Sequence, residues 1–126
     1  MKTSELTGAA LDWAVAKAEG KDFFIEGKAV LSFCPGADIP GVPYFDREYW
    51  MPSVKWSQGG PIIERERIEI QKGNPLYFPE GNENGDYYEP LWIAGKMHGQ
   101  TPLIAAMRCY LVSKMGDEIE VPEELL

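Results

Sequence analysis

The chain has 126 residues, 44% of them hydrophobic and 25% charged, with 12 Lys and Arg against 20 Asp and Glu for a formal charge of −8. That length and apolar content suit one compact domain, residues 1–126, and exclude an intrinsically disordered chain. The acidic balance excludes non-specific coating of duplex nucleic acid or of anionic lipid, and without an apolar run near the roughly 20 residues a bilayer demands we expect a soluble intracellular protein. The charge is uneven: Asp117, Glu118, Glu120, Glu123 and Glu124 crowd the last ten residues, so residues 1–116 carry 15 acids against 12 bases. Cys34 and Cys109 are too few for a disulfide framework and lack metal-ligand spacing, so both are expected reduced and buried.

Taken in chain order, residues 3–20 place Leu6, Ala9 or Ala10, Trp13 and Lys17 at steps of three and four, which predicts an amphipathic helix capped by Ser4 or Thr7 and stopped by Gly20. Asp12, Glu19 and Asp22 read as charges on its surface. Residues 22–34 are rich in Phe, Ile and Val around Glu26-Gly27-Lys28, a strand, turn and strand. Residues 35–61 hold so many Pro and Gly that we expect a long structured loop pinned by Tyr44, Phe45, Tyr49, Trp50 and Trp56. The alternation over 62–71 predicts a strand with Glu64 and Glu66 on one face and Arg65 and Arg67 on the other. Asn84-Gly85 predicts a second hairpin joining 76–78 to 87–94. Thr101, Pro102 and Gly116 bracket a helix over 102–115, and the acidic tail, about 117–126, is extended or frayed. The sum is an α+β fold, mainly antiparallel sheet with an N-terminal and a C-terminal helix.

For catalysis, His98 is the only histidine, in a loop before the last helix, so any Ser-His or Cys-His arrangement must use it; a plain surface histidine is the competing reading. One His and two distant Cys exclude an ordinary zinc site, and no cofactor is expected. Glu64 and Glu66 on one strand face suit acid-base work, as they equally suit a solvated face. Gly59-Gly60-Pro61 lacks the strand and helix of a dinucleotide fingerprint, and there is no P-loop. Binding is better supplied. Trp50, Ser53, Trp56, Gly59 and Gly60 combine flat aromatic faces, a hydroxyl and glycines that admit a ligand to backbone N–H groups. Arg65, Arg67, Lys55 and Arg108 offer positive charge for phosphates, and Trp92 a further stacking face. The alternative is that these tryptophans are core and that the arginines pair with Glu64 and Glu66.

Three segments resemble the NinX-type proteins of tailed phages and prophages: Leu6-Thr7-Gly8-Ala9-Ala10-Leu11-Asp12-Trp13, Trp56-Ser57-Gln58-Gly59-Gly60-Pro61-Ile62-Ile63-Glu64-Arg65-Glu66, and Thr101-Pro102-Leu103-Ile104-Ala105-Ala106-Met107-Arg108. The resemblance implies the cytoplasm of an infected or lysogenic bacterium and brings no catalytic residues with it. Gly99-Gln100-Thr101-Pro102 departs from the Gly-Pro-Thr-Pro associated with that family. Trp50-Met51-Pro52-Ser53 with Trp56 is also similar to a short motif of phage proteins that sequester nucleotide signals of host immunity, the Thoeris-inhibitor sponges. The expectation is therefore a non-catalytic phage accessory protein that sequesters a cyclic-nucleotide-type signal, in a homo-oligomer with pockets between subunits. The alternatives are an acidic module that binds a host protein and, least supported, a small nucleotide hydrolase using Glu64 or Glu66 with His98.

Overall fold

The computed structural model describes residues 1–34, 46–73 and 92–126. Among the described residues, three α-helices and two three-stranded antiparallel sheets make it an α+β fold: α1 is Gly8–Glu19, β1 Phe23–Glu26, β2 Ala29–Cys34, β3 Asp46–Tyr49, α2 Trp56–Glu66, β4 Ile70–Lys72, β5 Trp92–Ala94, β6 Met97–Gly99 and α3 Pro102–Met115. The sheets run in order β1-β2-β3 and β4-β5-β6. α1 packs on β2 and on α3; α3 in turn covers β4, β5 and β6 and touches α2. The two helices therefore form the seam that joins the sheets.

α1 starts later than its periodicity predicts. Thr3–Glu5 is a separate 3-10 turn, because Thr3 is fully buried and engaged elsewhere: its N–H donates to Asp117 O at 2.8 Å and its Oγ1 to Gly116 O at 2.7 Å. Gly20 ends the helix as expected, at φ 67°, where a side chain would be strained. Between these ends Ala10, Leu11, Asp12, Trp13, Ala14, Val15 and Ala16 are all buried. So α1 is enclosed on every side and its small alanines admit α3 closely. Trp13 meets Phe23 edge-on, with ring centroids 6.4 Å apart.

The predicted strand over 62–71 is corrected: residues 56–66 form α2 and only Ile70–Lys72 is strand. The alternating Ile and Glu pattern also fits a helical face, since Gln58 and Ile62, four residues apart, are both buried with Gly59 beside them. Tertiary burial of that face overrides the breakers Gly59, Gly60 and Pro61, the last of which lies inside the helix on the exposed side. Arg67 closes α2 in the left-handed region at φ 53°, with Ile68 N–H reaching back to Ile63 O at 3.0 Å. The predicted long loop over 35–61 is corrected too: it ends at Lys55 rather than at residue 61, and Asp46–Tyr49 within it is strand β3, held by antiparallel pairing with β2.

β1 and β2 form the expected hairpin across Gly27. The expected hairpin around Asn84-Gly85 lies outside the described residues, as do Tyr44 and Phe45; β5 pairs β4 on one side and β6 on the other. α3 begins as predicted, Thr101 Oγ1 accepting from Ile104 N–H at 3.1 Å with Pro102 in the first turn. The acidic tail is not frayed. Lys2 and Glu118 form an antiparallel bridge, Ile119 N–H donates to Met1 O at 2.9 Å, and Ile119 and Leu125 are buried. Cys109 is half-buried rather than buried, and the side chain of Cys34 lies outside the described residues. Among the described residues no helix is long and apolar enough to cross a membrane.

Candidate functional site

The segment from Tyr49 to Trp56 leaves the edge strand β3 and enters α2, and its backbone is fastened at three points. Trp50 N–H donates to Val30 O at 2.9 Å. Gln58, buried in the first turn of α2, accepts from Met51 N–H at 2.6 Å and donates to Tyr49 O at 2.8 Å. Asp12, on α1, accepts from Ser53 N–H at 2.9 Å. Pro52 and Ser53 are driven inward, and Gly59 is required there because a Cβ would lie 2.4 Å from Pro52 O and 2.7 Å from a Leu103 methyl. Three large apolar side chains remain outside: Tyr49 at 56%, Val54 at 62% and Trp56 at 56% exposure. A fixed backbone therefore presents an aromatic and aliphatic corner to solvent.

The other candidate residues divide between framework and surface. Trp50 is buried at 4% exposure, with Lys21 Nζ 4.4 Å from its ring centroid, so it is a core residue. Gly60 lies beside Trp56, whose Cε3 would be 4.0 Å from an added Cβ. Arg65 makes a two-pronged ion pair with Glu19 at 2.9 and 2.7 Å, and Tyr110 donates its hydroxyl to the same carboxylate at 2.5 Å. Burial raises the Glu19 pKa, but the hydrogen bonds from Arg65 and Tyr110 and the nearby positive charge outweigh it and hold the group below its usual range. Burial, then the hydrogen bond to Glu19, pushes Tyr110 upward. Arg108 is half-buried on α3, donating to Leu6 O at 3.0 Å and to His98 O at 2.7 Å. It ties the entry of α1 to β6, and burial lowers its pKa. Trp92 is half-buried on β5, in register with Lys72 and Gly99.

Ser53, Trp56, Gly59 and Gly60 come together around the corner, whereas Trp92 and Arg108 belong to the β5-β6-α3 side of the molecule. Arg65 follows Trp56 by nine residues along α2, about 14 Å at 1.5 Å per residue. A single mononucleotide does not reach both. Glu64 and Glu66, two residues apart on a helix, point about 200° apart and share no face. Glu66 accepts from Lys114 at 3.1 Å, and His98 sits exposed on strand β6 rather than in a loop.

A shallow cleft of about 300 Å³ opens past the end of α2, between Arg67, Ile68 and Glu69 on one side and Cys109, Tyr110 and Lys114 on the other. Burial raises the Cys109 pKa, which keeps its thiol protonated and a poor nucleophile. Among the described residues no group of His, Cys, Asp and Glu could hold a metal ion.

Sequence reasoning missed Asp12, read there as a surface charge. It is 3% exposed, and burial, opposed by hydrogen bonding from Ser53, raises its pKa from 3.8 to about 6. One signal for it existed: a single acid inside Ala9-Ala10-Leu11-Asp12-Trp13-Ala14, where every neighbour is apolar. Ser53 Oγ and Trp50 Nε1, both buried, have no hydrogen-bond partner among the described residues, although the Ser53 hydroxyl is close enough to draw the Asp12 pKa down.

No curated protein matches the chain. A family model described as "Bacteriophage P22, NinX" matches residues 2–114, which include α1, the Tyr49–Trp56 corner, α2 and all but the last residue of α3. With nearly its whole length covered, this chain belongs to the phage NinX family.

Proposed function

We propose that the chain is a non-catalytic phage protein of the infected bacterial cytoplasm that docks on a host protein through the corner formed by Tyr49, Val54 and Trp56. The observation that carries this reading is the exposure of all three side chains on a backbone that is otherwise tightly fastened. Trp and Tyr dominate the energetics of protein interfaces because each buries a large rigid surface with little entropy loss, and here both types, with Val54 between them, are exposed within residues 49–56. The tail adds chemistry to the same reading. Ile119 and Leu125 are buried while Asp117, Glu118, Glu120, Glu123 and Glu124 are exposed, so five acids are displayed on an anchored segment that suits a basic partner.

The test is co-purification from a bacterial host with wild-type protein, Trp56→Ala and Val54→Asp. A stoichiometric partner that is lost with both variants, and weakened by raising salt, supports docking at this corner. A partner that survives both substitutions, or its absence, sinks the reading.

A second reading, sequestration of a nucleotide-type signal, is favoured by the open indole face of Trp56. A base stacked on Trp56 contributes about 1–3 kcal/mol. Thermal shift against cyclic and linear nucleotides, followed by analysis of what heat-denatured protein releases, separates the possibilities: intact ligand means a sponge, an altered product means a hydrolase. Light scattering of the same samples tests the expected homo-oligomer.

A further inference from the structure

We infer that Asp12 is the positioning residue of the exposed corner and that its contact with Ser53 is a proton-operated latch on the segment 50–55. Of the three fastenings of that segment, two are made by neutral groups, the Val30 carbonyl and the Gln58 amide. Only the third is titratable, and it alone links the segment to α1, across 41 residues of sequence. Ser53 follows the fully buried Pro52 and directly precedes exposed Val54, so displacement of Ser53 moves Val54 and the entry to α2 at Trp56. Val54 and Lys55 N–H both bond back to Met51 O, at 3.0 and 2.7 Å, which makes 51–55 one compact turn that moves as a unit.

The chemistry of the two protonation states differs at Ser53. As a carboxylate, Asp12 accepts the Ser53 N–H and attracts the adjacent hydroxyl, drawing the turn inward at the expense of a buried charge. As a neutral acid it is a weaker acceptor and the burial penalty disappears, so the turn loosens while the core relaxes. Burial and Ser53 are what act on this carboxyl. The charged groups of the surrounding elements are engaged otherwise: Lys17 lies over Trp13 on α1, Lys21 over Trp50 and Arg65 on Glu19. On α3, Arg108 is held by two backbone carbonyls, and Lys55 heads α2 half-buried. Between them they supply no cation to hold Asp12 ionised, so the group titrates near pH 6 instead of near 4. The latch stands on these contacts alone; its use in gating a partner rests on the docking reading above.

The experiment follows backbone amide and indole N–H resonances of the full-length protein from pH 4.5 to 8. The expected result is a shift of the Ser53 amide with a midpoint close to 6, accompanied by lower protection factors across 51–56 on the acidic side, each exchange rate being compared with the intrinsic rate at the same pH. In Asp12→Asn the Ser53 titration disappears while the fold is retained. Ser53→Ala keeps the backbone N–H but removes the hydroxyl, and is expected to move the midpoint upward, which covers the case in which Asp12→Asn does not fold. A Ser53 amide that stays flat across this range overturns the latch, as does one that titrates unchanged in Asp12→Asn. Running the series in His98→Gln removes the only imidazole, and a titration that vanishes with it likewise overturns the proposal. A normal latch combined with partner binding that ignores pH would leave Asp12 as a positioning residue and refute the gating use alone.

Discussion

Trp50 and Trp56 bound the same short segment, yet the first is 4% exposed and the second 56%. Around Trp50 lies the seam of α1 and α3, where polar groups have structural duties: Arg108 clasps two carbonyls, Arg65 clasps Glu19, and Thr3 ties the N-terminal turn to residues 116 and 117. Around Trp56 the backbone is equally well fastened but the side chains face water. Order of the backbone and burial of the side chains are thus separated within a few residues. A chain shaped only by its need for a core would bury both rings, so the second ring is where function is to be sought.

That contrast can be broken at several strengths. The largest effect is expected from Trp50→Ala, which removes a buried ring and costs about 3–5 kcal/mol of unfolding free energy in a denaturant titration. Gly59→Ala comes next, at about 3 kcal/mol, because the clash with Pro52 O involves backbone and cannot be relieved by a rotamer change. If Gly59→Ala melts like the wild type, the fastening of the segment to α2 is looser than its geometry.

Asp12 gives a pH-dependent intermediate case. Its folded-state pKa, about 6, is above the ordinary 3.8, so the folded protein binds this proton more tightly than the unfolded chain. Stability from this group is therefore highest at low pH and is lost as pH rises from about 4 through 6. Two units correspond to about 3 kcal/mol, and Asp12→Asn is expected to recover about 2 kcal/mol of it at pH 8, since the amide oxygen still accepts from Ser53. Glu19 runs the opposite way: its pKa is depressed, so its stabilisation is present above about pH 4.5 and is lost as pH falls through the lower folded value. Equilibrium unfolding measured across pH 3 to 8 checks both signs, and a wild-type curve that rises steadily to pH 8 would contradict the Asp12 assignment. Tyr110→Phe should cost about 1.5 kcal/mol by deleting the hydrogen bond to Glu19, with Arg65 still in place. The smallest effect on stability, about 1 kcal/mol, is expected for Trp56→Ala, because more than half of its surface already meets water. The same variant should have the largest effect on partner binding, and the opposition of those two readouts is the sharpest form of the comparison.

Much of the framework was legible in sequence because its signals are local. Thr101, Pro102 and Gly116 cap α3 through bonds that span three or four residues, Gly20 stops α1 by its tolerance of positive φ, and Glu26-Gly27-Lys28 turns the first hairpin. The residues 56–66 were misread because Ile-Ile-Glu-Arg-Glu suits either period, and the breakers before it argued for a loop; contact of Gly59 and Ile62 with the interior decided for helix. Of the candidate site, Trp56, Gly59 and Gly60 were recognisable as a group from their spacing, whereas the separation of Arg108 and Trp92 from that group was not.

Composition and pattern by themselves determined an acidic α+β chain with a helix near each end, since those depend on propensity, capping and charge count. Whether Trp50 or Trp56 faces water, whether Asp12 is a surface charge or the buried clasp on Ser53, and whether an acidic tail frays or anchors through Ile119 and Leu125 were decided only by tertiary contacts. These depend on partners 41 or more than 100 residues away, and no local pattern encodes which distant group will arrive.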